Sequence, residues 1–251
     1  MGGEYLLREL ATRGFLPGYG FPSHITSFDN LTIGKYKQAF SQKAGREDNR
    51  YRKRELPSRD RVTALREYAP GSEVVMDGLM YRSAGITLNW HIPATQQDAS
   101  EIQEIKFAWR CHHCGASGST HNLSGCQTCE ECGGDIKSSN IQRFLEPAGF
   151  AVDFFKDPTN DVTTQHFVPV EQPWITARGE WVPLANSELG RFRTTSSGHI
   201  FYHSDGIHRQ GYAICLACGR AAPMQSSGDL PQEFAKPHKK LRGGKLGETD
   251  C

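Results

Sequence analysis

The chain has 251 residues, 37% hydrophobic and 23% charged, with a formal net charge of +1. That is room for one large domain or two small ones, with the composition of a folded chain rather than a disordered one. No apolar run approaches the roughly 20 residues of a membrane helix, and MGGEYLLREL lacks the apolar core and cleavage site of a signal peptide. The expected compartment is the cytoplasm, where eight cysteines point to metal before disulfides.

In chain order, residues 4–13 predict a short amphipathic helix with Tyr5, Leu6 and Leu10 on one side, ended by Gly14. FLPGYGFPSH then reads as a packed loop rich in Gly, Pro and aromatics. Residues 35–56 are polar and basic and read as an exposed or partly disordered loop. Ser58 is expected to cap a helix through RDRVTALREY, with Val62, Leu65 and Tyr68 at helical spacing and Pro70-Gly71 as the stop. Asp77-Gly78 between EVVM and LMYRSAGITLNW is a hairpin signal. IKFAWR, residues 105–110, predicts a strand leading into a cysteine-rich module. AVDFF, QHFVPV, WITA, EWVPLA and GHIFYH are short β-like runs, and 209–217 carries a last strand into ICLACGR.

The expected fold class is α+β and mostly β: antiparallel sheets, an inserted zinc ribbon and few short helices. Three consecutive segments follow from this reading. Residues 1–104 form a β-rich segment with short helices and a basic loop, and 105–140 form the ribbon. Residues 141–251 form a β-rich segment with a further cysteine knuckle and a basic tail.

The ribbon reading rests on spacing. Cys111-x2-Cys114-Gly and Cys129-x2-Cys132-Gly are matched knuckles with fourteen residues between them. A two-residue gap turns both thiolates toward one metal, and the glycine closes the turn at positive φ. Two such turns supply four sulfurs to zinc, so His112, His113 and His121 are not needed as ligands. Cys126 forms an overlapping pair with Cys129, and Cys129/Cys132 is preferred because Gly133-Gly134 mirrors the first knuckle. A third knuckle, Cys215-x2-Cys218-Gly219, lies far downstream, with Cys251 as a further thiolate. It is expected to be a ligand short, its partner falling past Cys251; His238 and Cys126 are the competing fourth donors, and unbound thiols are another reading. His199 and His203 lie four residues apart, about 13 Å at strand rise, too far to share a metal.

The near-zero net charge hides an asymmetry. Residues 35–66 carry eleven Lys or Arg against four Asp or Glu, and 236–245 carry five basic residues and no acidic one. Arg50, Arg52, Lys53, Arg54, Lys239, Lys240 and Arg242 are therefore the candidate nucleic-acid contacts, against a reading of these segments as solvated loops. The chain has no Walker-type phosphate loop, no H-E-x-x-H, no G-x-S-x-G and no zinc-deaminase signature. No catalytic residue is assigned.

FLPGYGFPSHITSF, RELPSRDRVTALREYAPGSEVVMDGLMYRSAGI, FAWRCHHCG and GYAICLACGRA together resemble the C-terminal region of bacterial DEAD/DEAH-box superfamily II helicases. Relatives of that kind include helicases of the mitomycin-repair type (MrfA-like) and proteins of the DISARM phage-defence system (DrmA- or DrmB-like). The resemblance implies a zinc-binding region that follows two motor lobes, with Cys111, Cys114, Cys129, Cys132, Cys215 and Cys218 at its cysteine positions. The motor motifs are absent, so the chain is expected to be an accessory region, a fragment or split subunit. It would support DNA binding in repair or phage defence beside motor domains in the same or a neighbouring polypeptide. The alternative is a zinc-knuckle adaptor that binds a protein. An enzyme with an unrecognised site is the third reading.

Overall fold

The computed structural model describes residues 25–43, 56–88, 105–123, 128–163, 165–177, 179–196, 198–226, 228–235, 237–242 and 250–251. The expected helix at 4–13, the loop after it to residue 24, the basic residues Arg50, Arg52, Lys53 and Arg54, and Cys126 lie outside these.

The described elements in chain order are β1 (Ile25–Asp29), α1 (Ile33–Lys43), β2 (Ser58–Asp60), α2 (Arg61–Glu67), β3 (Glu73–Met76), β4 (Leu79–Thr87), β5 (Lys106–Arg110), β6 (Ser117–Thr120) and β7 (Ile141–Phe144). They continue with β8 (Gly149–Val152), β9 (Trp174–Thr176), β10 (Val182–Pro183), β11 (Arg191–Phe192), β12 (His199–Phe201), β13 (Tyr212–Ile214) and β14 (Ala221–Pro223). The fold is mostly β, in several small, largely antiparallel sheets, with two helices among the described residues. The chain divides into two compact units assembled from alternating segments. Unit one is Met1–Leu88, Pro147–Val170 and Ser204–Cys251; unit two is Asn89–Glu146 and Glu171–His203.

Unit one is built on a five-stranded sheet in the order β2-β1-β8-β4-β3. Asp77 and Gly78 both take positive φ, 51° and 73°, the two-residue turn that fits strand twist, and β3 and β4 pair from Met76↔Leu79 to Glu73↔Arg82. β1 and β8 pair in parallel, Phe28 beside Phe150. Phe28, Tyr68, Tyr81, Phe150 and Val152 are buried at the centre. The Phe28 and Tyr68 rings lie 4.9 Å apart, and Phe150 meets Tyr68 edge-on at 6.4 Å. Each such ring contributes about 1.5–3 kcal/mol by leaving water.

Two expectations change here. The helix cap is Asp60, not Ser58: Asp60 Oδ1 accepts from Thr63 N–H at 3.0 Å, while Ser58 pairs in β2. The face that packs is Ala64 and Tyr68, and Val62 is exposed. Residues 33–43 form α1, where a loop was expected over 35–56. Part of its support is non-local: Ile33 N–H donates to Phe154 C=O at 2.7 Å and Gly34 N–H to the Asp157 carboxylate at 3.0 Å. These distant acceptors, one of them 123 residues away, add to a local cap in which Thr32 Oγ1 accepts from Lys35 N–H at 3.5 Å.

Unit two holds the sheet β6-β5-β7, with Trp109 opposite Gly118 and Ile141. Against it sits the antiparallel pair β9–β12. Thr176 Oγ1 accepts from Ser117 N–H at 2.8 Å, and Phe201 meets Phe144 edge-on at 4.9 Å. In unit one, QHFVPV forms no strand.

Candidate metal centres

Three C-x2-C turns close in the same way. In each, the first cysteine's N–H donates to the carbonyl five residues on, and the N–H four residues on donates back to that cysteine's carbonyl. Cys111 pairs so with Ala116 and Gly115, Cys129 with Gly134 and Gly133, and Cys215 with Arg220 and Gly219, all at 2.8–2.9 Å. Gly115, Gly133 and Gly219 hold φ of 76°, 69° and 81°, the left-handed region that a Cβ disfavours. This turn carries both sulfurs to one side.

In unit two, the first and second turns face each other. The sulfurs of Cys111, Cys114, Cys129 and Cys132 all lie within 4.8 Å of one another. Cys111 to Cys132 and Cys114 to Cys129 are each 3.6 Å. Cys111 and Cys129 are buried with Ala116 and Ile136, and Trp109 and Ile141 pack against them. Asn140 Nδ2 lies 2.7 Å from His112 Nδ1, which engages His112 outside the sulfur set. Cys129 and Cys132, the preferred pair, both belong to this set; Cys126 lies outside the described residues.

In unit one, the third turn meets the tail. Cys215, Cys218, His238 and Cys251 bring three sulfurs and an imidazole nitrogen within 4.8 Å of one another. Cys215 to Cys251 is 3.7 Å, and Cys218 Sγ to His238 Nε2 is 3.4 Å. His238 and Cys251 face each other across a short antiparallel pairing, exchanging N–H···O=C bonds of 3.2 and 2.7 Å. The set expected to be a ligand short therefore has four donors within the described residues, and His238 is the fourth. His238 Nδ1 is buried and meets no hydrogen-bond partner among the described residues.

Both sets fit a tetrahedral metal of zinc's size. A Zn–S bond of about 2.3 Å puts tetrahedral sulfurs about 3.8 Å apart, and a nitrogen ligand shortens that edge to about 3.6 Å. A disulfide would require about 2.05 Å, and the seven described cysteines are free. The thiols divide unevenly. The Cys114 N–H donates to Cys111 and holds its thiol down to about 6, whereas burial pushes Cys114 up to about 12. The Cys218 thiol donates to Cys215 and holds it down to about 4, while Cys218 is pushed up by the same contact and by burial. In each set one thiol is favoured as the thiolate by its neighbours' donors, and a dication binding there would displace thiol protons.

The two sets differ in what lies behind them. Gly219 C=O accepts from Ile86 N–H of β4 at 2.8 Å, and Gly85 pairs with Arg220. A Cβ on Gly219 would run into the Ile86 carbonyl, and one on Gly85 into the Gly219 carbonyl and Leu241. Arg220 itself is buried, bonded to Asp153 Oδ2 at 3.0 Å and to Lys239 C=O at 2.8 Å. Leu241 is buried, and its carbonyl accepts from Phe154 N–H at 3.0 Å. Sequence reasoning missed the Arg220–Asp153 pair; the only clue was a charged residue directly after a knuckle glycine.

Of the candidate nucleic-acid contacts, three are described. Lys239 is exposed, its Nζ 5.8 Å from the Phe155 ring, and Lys240 is partly exposed. Arg242 is ion-paired with Asp29 at 2.7 Å, which ties the tail to β1. His199 is exposed on β12, and His203 stacks on Phe201 at 5.4 Å. No helix among the described residues is long and apolar enough to cross a membrane.

No family profile matches this sequence, and no solved structure matches it. It is similar to Druantia protein DruE of Escherichia coli (strain UMEA 4076-1), with 25% identity over 249 residues. That alignment covers 94% of this chain and 13% of DruE, so the chain spans about one eighth of the curated relative's length.

Proposed function

We propose that this chain is a zinc-binding accessory region of a nucleic-acid-handling protein in bacterial phage defence, with structural zinc in both four-donor sets. The observation that carries this is the convergence of four soft donors twice in one chain. A shell of four thiolates, or of three thiolates and one imidazole, selects zinc among common metals. Four protein ligands leave no open position for water, so each zinc serves structure rather than catalysis. The likeness to a Druantia protein and the resemblance to the accessory region of phage-defence helicases support the setting. Helicase motor domains in the same or a neighbouring polypeptide are the proposed partner. Lys239 and Lys240, with Arg50, Arg52, Lys53 and Arg54, are the proposed phosphate contacts.

Titrating labelled DNA against the purified chain at several salt concentrations tests the nucleic-acid part. Steeply salt-dependent, sequence-tolerant binding is expected. Absence of binding, with a protein partner held at high salt, would favour the adaptor reading instead. DNA-stimulated ATPase that co-purifies with this polypeptide would overturn the accessory role.

A further inference from the structure

The β10–β11 arm is the part of unit two that its own core does not use. Every residue from Gly179 to Phe192 is exposed. The arm is nonetheless ordered by its own backbone: Leu184 N–H donates to Gly190 C=O at 3.1 Å, and Leu189 N–H to Asn186 C=O at 3.1 Å. Asn186 Oδ1 accepts from Glu188 N–H at 3.0 Å.

At its base stands Trp181, 46% exposed, where Trp174 is buried at 9%. Arg191 and Arg193 lie over this one indole, their guanidinium carbons 4.5 and 4.7 Å from the ring centre. Neither guanidinium has an ion-pair or hydrogen-bond partner among the described residues. Elsewhere Arg59, Arg220 and Arg242 each pair with a carboxylate. The two cations on the indole sit closer together than one Debye length, about 10 Å at 0.1 M salt. Their repulsion opposes an arrangement that the ring's negative face holds in place. An anion between or beside them would relieve it, and stacking leaves the guanidinium N–H edges free to bind one.

We infer that the β10–β11 arm is a contact surface for single-stranded nucleic acid. Trp181 and the guanidinium planes over it stack bases, and Arg191 and Arg193 take phosphates. Exposed aromatics interleaved with cations are how single strands are held without sequence preference. This rests on the nucleic-acid reading above and moves its centre from the basic segments to the arm.

The test is fluorescence anisotropy of a short labelled single strand of mixed sequence, titrated with the full chain across a salt series. Trp181→Ala is expected to weaken binding roughly 5- to 150-fold, and Trp181→Phe to keep most of the affinity. Arg191→Ala with Arg193→Ala should lower the slope of log affinity against log salt by about 1.4. Because the arm lies outside both donor sets, zinc content should match wild type in every variant. If wild type does not bind single strands, the nucleic-acid reading falls and the arm with it. If wild type binds and the arm variants bind as tightly with the same slope, the arm proposal alone is wrong, and its exposed Leu184 and Leu189 mark a protein contact.

Discussion

The two donor sets are built from the same turn and are held in different ways. In unit two the ribbon closes on itself: both of its turns are C-x2-C-Gly, and a Cβ on Gly115 or Gly133 would meet open space. In unit one the single turn is pressed onto β4, its glycine carbonyl accepts a sheet N–H, and the next residue is a buried arginine bound to Asp153. Its other two donors come from a tail that runs past buried Leu241. A metal in the first set closes a local loop. A metal in the second set pins the third knuckle and the tail to the central sheet. The same turn therefore has different reach, and the difference lies in what it is packed against.

The largest effect should separate the sites at the level of whole units. Structural zinc supplies about 10–16 kcal/mol of apparent binding energy in finger peptides, comparable with the roughly 5–15 kcal/mol that stabilises a domain. Cys218→Ser should strip amide-exchange protection from β4 and β8 in unit one. Cys129→Ser should strip it from β5 and β6 while β4 and β8 stay protected. Equal loss of protection in both units from either variant would erase the comparison.

Next in size is Arg220→Met, expected to cost about 3–5 kcal/mol in denaturant unfolding, because Asp153 is left buried and unpaired. Arg220→Met with Asp153→Leu should recover much of that loss; a double variant no better than the single one would show that the pair matters through something other than charge burial. Gly219→Ala should follow at about 2–5 kcal/mol, combining left-handed strain with a displaced β4 carbonyl. Gly115→Ala, which carries only the strain, should cost about 1–2 kcal/mol. If the two glycines proved equal, the third knuckle would not be docked as described. The smallest effect on stability belongs to Lys239→Ala and Lys240→Ala, within about 0.5 kcal/mol. Each should lower the salt slope of nucleic-acid binding by about 0.7–0.9, and an unchanged slope would remove the tail from the interface.

What could be read from sequence was whatever the chain declares over a few residues. The knuckles, the Asp77-Gly78 hairpin and the strand at 106–110 rest on local spacing and local φ. The closing of the second knuckle was legible too, because Gly133 and Gly134 repeat the turn chemistry of the first. What escaped was non-local. His238 looks like one more polar residue in a basic tail until the pairing with Cys251 turns its ring toward Cys218. Helix α1 takes support from Phe154 and Asp157, and Arg242, read as a phosphate contact, is ion-paired with Asp29. The interleaving of two units likewise has no local signal, since it is set by which distant strands share a core.

The most direct test of two closed metal centres is zinc content of the purified chain, measured together with X-ray absorption at the zinc edge for wild type and His238→Ala. Wild type should hold two zinc ions per molecule, one in an all-sulfur shell and one with three sulfurs and a nitrogen. His238→Ala should lose the nitrogen scatterer and weaken or empty the second centre while the all-sulfur signal persists. A single zinc per chain, or a nitrogen contribution that survives His238→Ala, would contradict the account.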